Sequence, residues 1–277
     1  MTHSAIDFGP RLIGTPTGTM RSAVVVRPSP RIERAAPLNG EPGTIFARAA
    51  EQHEVLIRTL RYFGVSVRTI EAFGDDPYRC AVAEAAVVFE NGAVLMRPTS
   101  MSRRAEADRI AAEFAKTDVA LAGRISAPGL LDGTDVLLAG TTAFVGVGSR
   151  GNEIGRNGFT EVARAHGYEV KEVALAPSVR SLRSVAGAVA ADTVIMARDA
   201  VDPQPFSDFH TIVLERGEEL GAGVLCIGES HVIASVRYRT ALLQMRRAGI
   251  TVEGIDLYEF EKIGLTPSEL VLPIQRD

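Results

Sequence analysis

Residues 85–89 and 93–96 are two apolar blocks separated by Glu90, Asn91 and Gly92. Asn-Gly between two apolar runs marks a hairpin, so 77–97 is read as strand, tight turn and strand. The second strand ends on Arg97, and Pro98 stops the ladder. Ser102 with Glu106 nearby opens a helix over 102–114. The same pattern returns along the chain. A buried strand at 22–27 ends on Arg27; residues 136–147 form two strands about Gly140-Thr141, with Arg150 just beyond. Residues 184–198 turn at Ala191-Asp192 and end on Arg198, and 223–237 turn at Glu229-Ser230 and end on Arg237. Helical spacing is expected at 44–63, where Phe46, Ala50, Val55, Leu56 and Leu60 share a face and Gly64 is a natural C-cap. Further helices are expected at 158–166, 207–214 and 239–247, and further strands at 65–70, 119–121, 168–175, 251–256 and 270–274. Residues 1–20 are rich in Gly, Pro and Thr and read as a partly mobile lead-in.

Five strand or hairpin units, each closing on an arginine at intervals of roughly 40–70 residues, fit a repeated supersecondary element. Five such units close into a ring, which removes exposed sheet edges and sets one strand of each unit near a common axis. Small residues on the inner strands, Ala81, Ala83, Ala85 and Ala86 and then Ala186, Gly187 and Ala188, suit a crowded centre. The expectation is an α/β ring forming one domain over 1–277, with any site at the axial mouth. An open α/β sheet is the alternative.

Charge and composition narrow the function classes. The 277 residues carry a net charge of −4, so there is no electrostatic case for nucleic acid or an anionic membrane as partner. No apolar run approaches the ~18–20 residues of a membrane span. The N-terminal residues lack a basic segment followed by an apolar one, and two cysteines make no disulfide framework. A cytoplasmic protein is expected, and a homodimer is compatible with the sequence. The histidines at 3, 53, 166, 210 and 231 have no metal-ligand spacing, and solvated or capping roles are expected for them. GVGSRGNEIG, 146–155, lies at the wrong junction for a dinucleotide fingerprint, so neither metal nor cofactor is implied.

Residues 86–88 with 97–98 and 102–106 (AVV, RP, SRRAE), LDGTDVL at 131–137, FVGVGSRGNEIG at 144–155 and EFEK at 259–262 occur in an order and spacing that resembles the dimethylarginine dimethylaminohydrolases. These belong to the guanidino-group-modifying superfamily of arginine deiminases and amidinotransferases. The resemblance covers nearly the whole chain and implies the five-bladed pentein α/β-propeller.

The family's chemistry is thiolate attack on a guanidinium carbon, with a histidine as general acid, carboxylates around the cation and two arginines on the substrate's carboxylate. Carried over position by position, Arg97 and Arg150 match the two arginines. The cation cradle keeps one carboxylate, Glu84, with Arg79 beside it; an ion pair of Glu84 with Arg79 or Arg97 is its structural alternative. Asp132 and Asp135 stand at family positions, where they hydrogen-bond a ligand amine or hold the loop. Ser181 occupies the place of the histidine. The cysteine's place falls on Glu269 or on Pro267, according to whether the last strand or Gly264-Leu265-Thr266 anchors the alignment. Of the chain's own cysteines, Cys226 reads as a small buried hydrophobe, and Cys80 is the one thiol in the altered cradle.

The resemblance therefore implies a divergent relative. It would bind a small amino-acid-like carboxylate, without thiol-based guanidine hydrolysis. If active it would be a non-cysteine C–N hydrolase or lyase, with Glu269 and Ser181 assisting hydrolysis, elimination or cyclisation. Otherwise it is a silent metabolite-binding or partner-binding protein. A dimethylargininase or deiminase that uses Cys80 is the third reading.

Overall fold

The computed structural model describes residues 12–277. Among them, fifteen strands form five three-stranded sheets, each with the same wiring. An inner strand pairs antiparallel with the middle strand that follows it, and the middle strand pairs parallel with an outer strand. In chain order, β1 (Met20–Val26), α1 (Phe46–Tyr62) and β2 (Ser66–Ile70) supply the middle strand, helix and outer strand of one blade. The next blade is β3 (Ala86–Phe89), β4 (Gly92–Leu95), α2 (Glu106–Phe114) and β5 (Leu121–Arg124). Then come β6 (Val136–Ala139), β7 (Thr142–Val147), α3 (Glu153–Ala165) and β8 (Glu169–Ala174). A one-turn helix, α4 (Leu182–Val185), leads into β9 (Ala186–Ala190), β10 (Thr193–Ala197) and β11 (His210–Leu214). The last full blade is β12 (Leu225–Gly228), β13 (His231–Ser235), α5 (Arg239–Arg247) and β14 (Thr251–Ile255). After α6 (Tyr258–Glu261) and α7 (Pro267–Leu270), β15 (Leu272–Arg276) returns to become the inner strand beside β1. The two ends of the chain thus complete one blade and close the ring, which is the five-bladed pentein architecture.

The inner strands are short and covered on both faces. β3, β9 and β12 are buried at every residue, which is why they read as unbroken apolar runs and not as alternating ones. Each apolar cluster is shared between neighbouring blades: Phe89 of β3 packs with Val145 of β7 and Phe159 of α3, and stacks on Phe159 at 6.0 Å between ring centres. Middle strands run against the inner ones, so their C-terminal ends meet the inner strands' N-terminal ends. Arg27, Arg97, Arg150, Arg198 and Arg237 therefore all lie toward one mouth of the ring.

Several local expectations are corrected. Residues 77–85 are turns and a 3-10 turn at Val82–Glu84, not a strand; the first ladder begins at Ala86. Residues 207–214, expected as a helix, contain β11, which pairs in parallel with β10 from Thr193↔His210 to Ala197↔Leu214. The helix expected at 158–166 starts earlier, at Glu153, because Asn152 caps it by accepting from Gly155 N. His53, expected to be solvated, is fully buried and tilts against Phe260. Of the lead-in, residues 1–11 lie outside the described residues. Residues 12–14 hydrogen-bond to the far ends of the inner strands, Leu12 N donating to Glu90 O at 2.9 Å and Arg276 N donating to Leu12 O at 2.7 Å.

Candidate functional site

The mouth is built from the short segments that precede the inner strands. The 3-10 turn before β3 carries Glu84, the loop before β6 carries Asp132 and Asp135, Ser181 precedes α4, and α7 carries Glu269. These segments interlock. A Cβ at Gly133 would sit 2.3 Å from Ala83 O, so only glycine lets the LDGTD loop lie on the turn that bears Glu84. The loop is stitched at both sides, with Leu131 bridging to Arg97 and to Gly151.

Glu84 is completely buried and is the hub. It is ion-paired to Arg103, to Arg150 at 2.8 Å and to Arg180 at 2.7 Å. Burial by itself would raise the acidity constant of this carboxyl, but the three guanidiniums outweigh that and hold Glu84 well below the usual carboxylate range. Neither Arg79 nor Arg97 is a partner of Glu84, contrary to the sequence reading. Arg79 Nη1 lies 3.0 Å from Glu106. Arg103 is 2% exposed and grips Glu106 with Nε and Nη2 at 2.5 Å each, while its Nη1 reaches Glu84. With Nη2 also donating to Ala81 O at 3.1 Å, that fork geometry answers four of the guanidinium's five N–H groups.

Glu269 is the second fixed carboxylate. Its Oε1 accepts from Arg180 Nη1 at 3.1 Å and from Ser181 Oγ at 2.8 Å. Its Oε2 accepts from Thr266 N at 2.9 Å and Thr266 Oγ1 at 3.2 Å, closing a capping box at the start of α7. Four bonds use the roughly four lone-pair positions a carboxylate has. Arg180 thus spans Glu84 and Glu269, and its guanidinium lies over the Tyr78 ring at 4.8 Å.

Arg150 also pairs with Asp132, whose Oδ1 accepts from Thr99 N at 3.0 Å. Its Nη1 is buried and meets no partner among the described residues. Burial and the neighbouring Glu84 charge push the Asp132 carboxyl up, to about 6, against the pull of Arg150. Asp135 accepts from Leu182 N at 3.0 Å, and burial drives its carboxyl well above the usual value. The structure therefore brings Glu84, Arg150 and Asp132 together, and Glu269 with Ser181. Asp135 ties the loop to α4. Arg97 stands apart, half-buried, donating from Nη1 to Gly129 O at 3.1 Å.

Arg103, Arg180, Thr266 and Tyr78 are site members the sequence reading did not single out. Arg103 had a signal, the i,i+3 spacing to Glu106. Arg180 had none beyond its place next to Ser181. Cys80 is 1% exposed inside an apolar cluster, and burial pushes its thiol up to about 12. Cys226 is buried on β12, its S–H toward Gly228 O at 3.1 Å.

No family model matches the chain. A dimethylarginine dimethylaminohydrolase from Streptomyces coelicolor is 30% identical over 245 residues, spanning 88% of this chain and 93% of that protein. The enzyme of the same name from Pseudomonas aeruginosa is 25% identical over 218 residues, 79% of this chain and 85% of its own length. Among solved structures, the P. aeruginosa protein in complex with citrulline superposes with a TM-score of 0.82 at 22% identity, covering 92% of this chain and 99% of that one. An amidinotransferase of saxitoxin biosynthesis from Microseira wollei superposes with a TM-score of 0.81 at 13% identity, covering 97% and 98%.

Proposed function

The chain belongs to the dimethylarginine dimethylaminohydrolase family, and we propose that its axial mouth binds a small amino-acid-like carboxylate through Arg97 and Arg150, without thiol attack on a guanidine. The observation that carries this reading is the state of Glu84. It is the acid at the cradle position, and three of the chain's own guanidiniums already hold it. A substrate guanidinium arriving there would meet Arg180 where it needs an anion, and like charges repel.

Among the described residues Arg150 supports the carboxylate role through its unpartnered Nη1, and Arg97 through its half-buried place and its one side-chain hydrogen bond, to a carbonyl. A carboxylate answers both by charge-assisted hydrogen bonds. Between an enzyme that uses Glu269 and a binding protein, the bonding of Glu269 favours binding. A general base needs a free lone pair, and all four positions of this carboxylate are taken. The reading through Cys80 finds no support, since a thiol pushed up to about 12 is not a nucleophile at neutral pH.

The test is a thermal-shift screen of amino acids on the purified protein, since a ligand that binds only the folded state raises the midpoint. A shift lost in both Arg97→Ala and Arg150→Ala supports the reading. A shift that survives both overturns the clamp.

A further inference from the structure

Beyond the mouth, the ring encloses a second polar feature in its axial channel. The channel walls come from all five inner strands, with Ala86–Val88, Val136–Leu138, Ala186–Ala188, Leu225 and Leu272 around a cavity of about 100 Å³. Ile13 and Pro16 line it as well. Among the described residues the charged ones that line it are Arg183 and Arg276, and no acidic side chain does.

Among the described residues both guanidiniums donate to carbonyls, and the Cys226 thiol also lies beside Arg276. Arg276 is 6% exposed; its Nη1 donates to Gly18 O at 3.0 Å and its Nη2 to Cys226 O at 2.6 Å. Arg183 donates from Nη2 to Ser268 O. Among the described residues neither forms an ion pair. Arg183 is half-buried and Arg276 buried, and their lack of an ion pair departs from Arg103, paired with Glu84 and Glu106, and from Arg150, paired with Glu84 and Asp132. A carbonyl satisfies an N–H but not the charge, and an uncompensated charge in a low-dielectric interior is costly. Glu269 pulls on Arg183 electrostatically, yet its four hydrogen-bonding positions are spent at the mouth. The two cations also repel one another, and burial lowers both, with Arg183 at about 10, so both remain charged at neutral pH.

We propose that the axial channel is a binding site for a small inorganic anion, chloride as the occupant, held by Arg183 and Arg276. The volume admits a chloride with accompanying water, since a water takes about 30 Å³ of the liquid. Two guanidiniums and one anion leave less uncompensated charge than two guanidiniums alone. The apolar walls disfavour a large hydrated or organic anion. The site is separate from the mouth, which uses Arg97, Arg103, Arg150 and Arg180.

The experiment is thermal unfolding at constant ionic strength, with sodium gluconate replaced stepwise by sodium chloride. For the wild type the midpoint should rise by about 2–4 °C by tenfold above the chloride dissociation constant and go on rising with the logarithm of chloride concentration. Arg183→Met should lose this logarithmic rise, and Arg183→Lys should keep some of it. Arg97→Ala, at the mouth, should retain it in full. A wild-type midpoint indifferent to chloride overturns the proposal, as does a logarithmic rise that survives in Arg183→Met or vanishes in Arg97→Ala. Crystals of the wild type grown in sodium bromide settle the case should Arg183→Met not fold. Anomalous density within contact distance of Arg183 and Arg276 supports the site, and a channel without it refutes the site.

Discussion

Arg180 Nη2 lies 2.7 Å from Glu84 Oε1, so a side chain of this protein supplies the cation that the cradle acid holds. The same guanidinium reaches on to Glu269, at 3.1 Å. A planar cation lying between two carboxylates is the arrangement in which a guanidine substrate would be gripped. Here the partner is covalently part of the chain, and an external guanidinium has to displace it.

Removing that internal cation should open the cradle. Arg180→Ala is expected to bind guanidinium or free arginine in the millimolar range, and the wild type is expected to bind neither through this cradle. It should lose about 1–3 kcal/mol of stability, because Glu84 keeps Arg103 and Arg150 while Glu269 keeps Ser181 and Thr266. Calorimetric titration with arginine and urea midpoints check the two halves separately.

Glu84 should be the costliest of the mouth residues to alter. Glu84→Gln leaves three guanidiniums facing a neutral amide, and breaking a buried ion pair on one side costs about 3–5 kcal/mol. The double variant Glu84→Gln with Arg180→Ala should be less unstable than the sum of the singles, since one surplus charge is gone. Urea unfolding of the four members of the cycle gives the coupling; strict additivity would deny that the pair acts as a unit.

Glu269→Gln separates scaffold from catalyst. As the capping box of α7 and the anchor of Arg180, this residue should cost about 1–3 kcal/mol when neutralised. Affinity for a carboxylate ligand that depends on Arg97 and Arg150 should change by less than about threefold, or under ~0.7 kcal/mol. Turnover of any substrate that disappears in Glu269→Gln while stability is unchanged would assign it the role of a base.

His53 predicts an acid limb. Burial, helped by the charge of Arg27, holds its imidazole at about 4, against 6.5 for an ordinary histidine. The fold binds the neutral ring, so this stability is complete above about pH 6.5 and is lost as pH falls toward 4. The gap corresponds to about 3 kcal/mol. Urea midpoints of wild type and His53→Phe at pH 7 and pH 4.5 should show the wild type losing more on acidification. Parallel losses in the two proteins would contradict the assignment.

The ring was legible because its units announce themselves locally. Asn91-Gly92 and Gly140-Thr141 sit between apolar runs, and an arginine follows each middle strand. Residues 207–214 were misread because β11 follows β10 without an intervening helix, only a 3-10 turn at Gln204–Phe206, and its parallel pairing is a tertiary fact. The run at 81–85 looked like a strand because four of its five residues are apolar, with Glu84 the exception; a turn buried on all sides has the same composition. At the site, the motif positions Glu84, Asp132, Arg150, Ser181 and Glu269 do meet. Who pairs with whom was hidden, because Arg180 finds Glu84 across 96 positions of sequence. Long-range ion pairs leave no periodic trace.

The measurement that bears most directly on the account is citrulline formation by the purified protein from arginine and from methylated arginines. The cradle acid is neutralised internally and both thiols are buried, so no citrulline above the enzyme-free blank is predicted, at any protein concentration. Steady citrulline release proportional to the protein added would contradict it.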